Sequence, residues 1–334
     1  MTAPETVGKG AGRKRPARGA AKAGGTGPNR SGRIVPWLFV LPPILWICVF
    51  SLGPFINTIR LSFTDSTLLK EGTFVGLQNY IDMFTDRRFQ TAFFNSSLYV
   101  VCIVPFMVIL PLMLAALVAE KTRIMNFFRT AFYLPVVMSS VVVGLIWTNL
   151  LDSHGLINGM FQALKWIQTP IPFLTDRWLL LFSAMCVTIW SGLGYYMIIY
   201  LANIANIDNT LYEAAAIDGC GGIRQFFNVT LPGCRMTMVL VMLMSSMSAF
   251  RVFGEIYMLS GGTGGIGGQD LTMTMLIKQE GTGINARTGY SGALGMVMFV
   301  VLGAIILIEG AVQRRADKCA GRRRRSSTRT STAR

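Results

Sequence analysis

Six stretches of predominantly apolar residues punctuate this chain, at 36–62, 93–119, 132–151, 178–206, 236–259 and 290–313. A hydrocarbon core about 30 Å thick needs about 20 apolar residues per helix. Lipid offers no partner for backbone N–H and C=O groups, so segments of this kind cross it as helices that satisfy those groups internally. The expected fold class is therefore all-α: a polytopic membrane protein with six transmembrane helices. Composition agrees, because only 14% of the 334 residues are charged, against about a quarter in soluble domains. The fifth stretch is the least clean, since Arg251 and Glu255 interrupt it. Prolines recur in the first two (Pro36, Pro42, Pro43, Pro54, Pro105, Pro111). They remove helical hydrogen bonds that neighbouring helices can replace.

The net charge of +15 gathers at the two ends, with eight Lys/Arg in 1–33 and nine in 314–334. Such runs can serve as nucleic-acid tails, but beside membrane helices they read as cytoplasmic anchors facing anionic lipid, so no nucleic-acid partner is expected. With the amino end inside, the inside segments hold 22 Lys/Arg and the outside segments 7. Both termini, and the loop 207–235, are then cytoplasmic. Residues 1–33 are expected to be a disordered basic tail, residues 34–315 the membrane domain, and 316–334 a second basic tail. The first apolar run lacks a convincing cleavage site after it and is kept as a span. The six cysteines form no CxxC pair and read as free thiols.

Loop 207–235 looks soluble in an otherwise oily chain. Thr210-x-x-Glu213 has the spacing of a capping box, Ala214-Ala215-Ala216 favours helix, and Gly219 suits the left-handed residue that ends one. A second helical piece is expected at 223–229, stopping before Pro232. On spacing alone, Glu213 is either only a cap on a connector or part of a compact helical knob for a partner. The outside loops at 64–92 and 152–177 are each long enough for a small helix at the surface. Asn79-Tyr80 and Asp82-Met83-Phe84 carry the expected aromatic and polar mix. The glycine run at 261–268 lacks the Gly-Lys-Ser/Thr ending of a phosphate loop and reads as a flexible connection.

The run Glu213-Ala214-Ala215, three residues, Gly219, nine residues, Val229-x-Leu231-Pro232 resembles the cytoplasmic EAA loop of ABC importer membrane subunits; Val229 stands where that family usually has Ile. Further likeness comes from Leu61-Ser62-Phe63-Thr64, Phe74-Val75-Gly76-Leu77-x-Asn79-Tyr80, Phe128-Arg129-Thr130-x-Phe132-Tyr133-Leu134-Pro135 and Val252-Phe253-x-Glu255-Ile256-Tyr257. Together these resemble carbohydrate permeases of the maltose and glycerol-3-phosphate type, specifically the first permease of the pair. The resemblance implies a type I ABC importer permease fold over 34–315. It implies ATPase coupling through Glu213, Ala214, Ala215, Asp218, Gly219, Leu231 and Pro232. The implied partners are a second homologous permease, a dimeric ABC ATPase that binds the ATP and Mg, an extracytoplasmic solute-binding protein and a sugar. No cofactor of the chain's own is implied.

Thr188, Gly192 and Tyr195 share one helical face, and Ser245 starts a comparable face with Ala249 and Val252. By position relative to the EAA loop, these faces are similar to the sugar-contacting helices of the maltose-transporter membrane subunit. The same small residues also serve helix–helix packing. Arg251 and Glu255, four residues apart, are expected to form an ion pair near the outer boundary. No nucleophile–base set and no metal-ligand cluster is found, so the chain is expected to be no enzyme. The alternatives are glycerol-3-phosphate or another polyol as cargo, an ion-coupled secondary carrier, for which coupling carboxylates at mid-membrane are missing, or a membrane-bound enzyme or scaffold.

Overall fold

The computed structural model describes residues 31–120 and 122–331, with side chains for all of these except 31–37, 312 and 314–331. The tail expected to be disordered falls on residues 1–30, outside the described residues; its last three positions open the helix Ser31–Ile47. The six helical runs that are long and apolar enough to cross a membrane are Leu38–Ser62, Arg87–Leu117, Ser140–Ala163, Arg177–Ile204, Arg235–Leu259 and Thr288–Ala311. They are called spans one to six below. The chain divides into two units after Pro54.

The first unit, among its described residues, is the helix Ser31–Ile47 and a π turn at Cys48–Leu52. Its large apolar side chains, Phe39 and Trp46 among them, are exposed, as befits a helix solvated by lipid. The π turn lies two residues before Pro54. Widening the helix there relieves the clash between a proline ring and the preceding turn.

In the second unit, span two packs against spans four and five. Tyr99, Ile103 and Leu112 meet Leu180, Leu181, Met197, Tyr200, Val241 and Phe250 in a buried core. Pro105 and Pro111 lie inside a helix that continues unbroken through both. Tyr200 Oη donates to the Val108 carbonyl at 3.0 Å, tying span four to span two in the turn before Pro111. The third span departs from the expected 132–151. Residues Arg123–Val137 form a separate helix ending just past Pro135, and Ser139, whose Oγ accepts from the Val141 amide, starts the spanning helix anew.

The connections at 63–86 and 260–287 are more ordered than the sequence suggests. The short helix Gln78–Thr85 forms as expected, but it is anchored in the protein. Asn79 Nδ2 donates to the carbonyls of Ser62 (2.9 Å) and Thr64 (2.8 Å), and Met83 is fully buried. The glycine run is a folded turn rather than a flexible connection. Six of its glycines have positive φ, and the loop is stitched to span two. Asn95 Nδ2 donates to the carbonyls of Gln269 (2.8 Å) and Leu271 (2.9 Å), and Ser96 Oγ accepts from the Met273 amide at 2.9 Å. At the other end of span two, the Arg129 guanidinium binds the carbonyls of Val118 (2.6 Å from Nη2) and Ala119 (2.8 Å). It satisfies helix-end acceptors, a role its sequence motif does not disclose.

Candidate functional site

Two features stand out: a helical knob between spans four and five, and a cavity within the spans. The knob's first helix is Asn209–Ile217. Its cap is Asp208, not the expected Thr210–Glu213 box. Asp208 Oδ1 accepts from the Thr210 amide at 2.9 Å, and Thr210's hydrogen bonds hold the Asp208 carboxyl below its usual range. Starting the helix two residues earlier puts Glu213 in its second turn, too far along to reach back to the cap. Glu213 is exposed and makes no hydrogen bond among the described residues.

The far end of this helix is as expected. Gly219 has φ of 75°, its amide bonds the Ala216 carbonyl (3.0 Å), and the Cys220 amide bonds that of Ala215 (2.9 Å). This is the paired arrangement in which a left-handed residue closes a helix. The return arm runs through Gly222–Gln225 and a π turn, Phe226–Thr230, into Leu231–Gly233. Pro232 therefore does not stop the second piece, as the sequence suggested; as at Pro54, a π turn two residues earlier carries the helix past the ring. Tyr212 and Thr230 hydroxyls bond across the two arms at 3.0 Å. Ala214, Asp218, Gly219 and Pro232 are exposed, Ala215 is half-buried, and Leu231 packs on the core. The tip carries bare apolar side chains, Ile217 at 86% and Ile223 at 78% exposure. Where the knob joins span five, burial pushes the Cys234 thiol up to about 11.

The cavity has a volume of about 420 Å³, within the roughly 300–1,000 Å³ usual for small-molecule sites. It gathers Thr188, Gly192, Tyr195 and Ser245, the four substrate candidates from the sequence, on one wall system with Ser191, Ser248, Arg251 and Glu255. The candidates differ in what they offer. The Thr188 hydroxyl is committed to Tyr99 Oη (2.7 Å) and the Ala184 carbonyl, and Ser245 Oγ to the Met242 carbonyl. A side chain at Gly192 would meet Met107 Cε at 2.6 Å, so this glycine serves helix packing as well as the wall. Tyr195 is 42% exposed and its hydroxyl makes no hydrogen bond among the described residues.

Arg251 and Glu255 correct the sequence reading most. They form no ion pair with each other, and both line the cavity. The cause is a break in span five: one helix ends at Phe250 and another starts at Gly254. The freed Val252 carbonyl accepts from Thr272 Oγ1 at 3.0 Å. Non-helical backbone at this depth is tolerated where protein satisfies it or where it lines a cavity. Ser248 was missed; its spacing of three from both Ser245 and Arg251 was the available signal. Ser246 Oγ donates to Glu309 Oε1 at 2.6 Å, a pair between spans five and six that the sequence reading did not foresee.

Residues 83–318 match the family described as "Binding-protein-dependent transport system inner membrane component". The probable ABC transporter permease protein YurN of Bacillus subtilis (strain 168) is 34% identical over 280 residues, 83% of this chain and 95% of that protein. The lactose transport system permease protein LacF of Rhizobium radiobacter is 34% identical over 244 residues, 72% of this chain and 81% of that protein. A crystal structure of a bacterial ABC transporter involved in the import of the acidic polysaccharide alginate aligns with a TM-score of 0.75 at 23% identity. The alignment covers 85% of this chain and 96% of that one, and the fold is shared.

Proposed function

Because this chain belongs to the family of binding-protein-dependent transport system inner membrane components, we propose that it forms half of the translocation pathway of an ABC importer for a sugar or oligosaccharide. It is a multi-pass membrane protein and a non-catalytic subunit. The observation that carries the substrate reading is the cavity, in which the accessible Tyr195 ring meets the Ser248 hydroxyl and the Ser191 hydroxyl, whose proton goes to the Thr188 carbonyl but whose oxygen can still accept. An aromatic face and hydroxyl partners suit a polyhydroxylated ring. Similarity to a permease named for lactose transport agrees with it.

The knob is the coupling element in this reading. Glu213, Ala214, Ala215, Asp218 and Gly219, with Leu231 and Pro232 on the return arm, meet the ATPase dimer, which binds ATP and Mg; this subunit needs no cofactor of its own. Exposed Ile217 and Ile223 supply apolar area for that contact. The excess of Lys/Arg on the knob's side supports a cytoplasmic placement of the knob and both termini. A second homologous permease completes the pathway, and an extracytoplasmic solute-binding protein delivers the sugar. ATP binding and hydrolysis then swing the cavity between outward and inward opening.

Uptake of labelled lactose, maltotriose and arabinotriose by cells carrying the complete importer tests this. Uptake of at least one is expected to persist when ion gradients are dissipated and ATP maintained, and to stop when ATP is depleted. The reverse dependence would establish an ion-coupled carrier instead.

A further inference from the structure

Span five stops being helical after Phe250 and resumes at Gly254, with Arg251 opening the break and Glu255 just past its end. Arg251 and Glu255 both line the cavity beside Tyr195 and Ser248, yet they do not neutralise each other by contact. Arg251 donates Nε to the Met247 carbonyl at 3.2 Å, and both of its Nη groups are without a partner among the described residues. Charged side chains at membrane depth are costly and stay where they have work with a ligand or partner. Here an Arg and a Glu line one small space without touching, so strong donors and strong acceptors face the same volume.

We propose that Arg251 and Glu255 form a charge-balanced clamp that selects neutral saccharides and rejects uronates. A sugar hydroxyl both donates and accepts, so one ring can give hydrogen bonds to the Glu255 carboxylate and take them from the Arg251 guanidinium. Hydrogen bonds to ionised groups are the strong ones. A uronate would bring a third charge into the cavity beside Glu255, and like-charge repulsion is an effective means of rejecting a ligand. The clamp rests on the sugar-importer reading above and narrows its substrate class.

The test is equilibrium binding to the assembled membrane complex of both permeases and the ATPase, without the binding protein. The neutral probes are lactose, maltotriose and arabinotriose; the anionic probe is trigalacturonate. Wild type is expected to bind at least one neutral probe and to bind trigalacturonate at least about ten-fold more weakly. Glu255→Gln is expected to weaken the neutral probe about ten-fold or more and to close the gap to the uronate. Arg251→Gln is expected to weaken the neutral probe without closing that gap. Co-purification of the ATPase reports assembly; if Glu255→Gln fails to assemble, Glu255→Asp, which draws the carboxylate back, carries the same expected loss. Equal or tighter trigalacturonate binding by wild type overturns the clamp, as does neutral binding indifferent to both Glu255 and Arg251 variants. Binding of no probe overturns the saccharide reading together with the clamp.

Discussion

The Tyr212 and Thr230 hydroxyls lie 3.0 Å apart across 18 residues of chain, and that contact closes the knob into one body. Nearby, Asn203 Nδ2 donates to Thr237 Oγ1 at 2.6 Å, joining the ends of spans four and five. The same two spans carry Tyr195 and Ser248 into the cavity. In the proposed coupling, a push on the knob would reach both of those walls.

Removing only the hydroxyl tests this. Tyr212→Phe keeps the ring and forfeits one hydrogen bond, a loss of about 0.5–1.5 kcal/mol. The expected outcome is a small drop in thermal midpoint and fewer sugars moved per ATP hydrolysed, with ATPase still bound. An unchanged transport-to-hydrolysis ratio would show that the two arms need not move together.

Asp208 and Glu213 separate helix building from docking. Asp208→Ala removes the cap, so faster hydrogen exchange is expected at the amides of residues 209–212. Glu213→Ala touches no hydrogen bond of the described residues, so exchange there is expected to match wild type while ATPase association weakens. The opposite pattern would return Glu213 to the capping role that its sequence spacing suggested.

Asp270 sets a pH dependence at the glycine-rich turn. Burial raises its carboxyl from 3.8 to about 7, with Arg177 opposing and Asp176 reinforcing the shift, and Oδ1 is buried without a hydrogen bond. The folded loop thus keeps a proton that the unfolded chain releases, so stability falls as pH rises between those two values and levels off above the upper one. Asp270→Asn removes the slope. Thermal midpoints across that range should show the variant's advantage growing from about pH 5 to about pH 7 and then holding steady. A difference independent of pH would mean that Asp270 is ionised throughout.

Spans were legible because each is decided by local apolar content and length, and Gly219 because a left-handed helix end favours glycine. The cap was misread because two overlapping patterns compete for one helix start, and the choice depends on where the chain leaves span four. The third span shifted because Met138 and Ser139 turn extended and Ser139 caps a new helix, where hydropathy alone would continue the old one. The expected Arg251–Glu255 pair rested on one unbroken helix through 236–259. The break depends on Thr272 taking up the Val252 carbonyl, a contact across 20 residues that no local pattern reveals. The roles of Arg129, Ser246 and Glu309 were hidden for the same reason: each is defined by a partner elsewhere in the chain.

The π turn at Phe226–Thr230 lies just upstream of span five. Each residue of an α-helix advances the side chains by about 100° around its axis, and a π turn spends roughly one residue more than an α turn. That extra residue acts as a phase setting. Together with the turn at Cys234, where the helix restarts, it sets which edge of span five turns toward Tyr195. A chain one residue shorter at this point would keep its hydropathy and its EAA motif intact, yet present a different edge to the cavity.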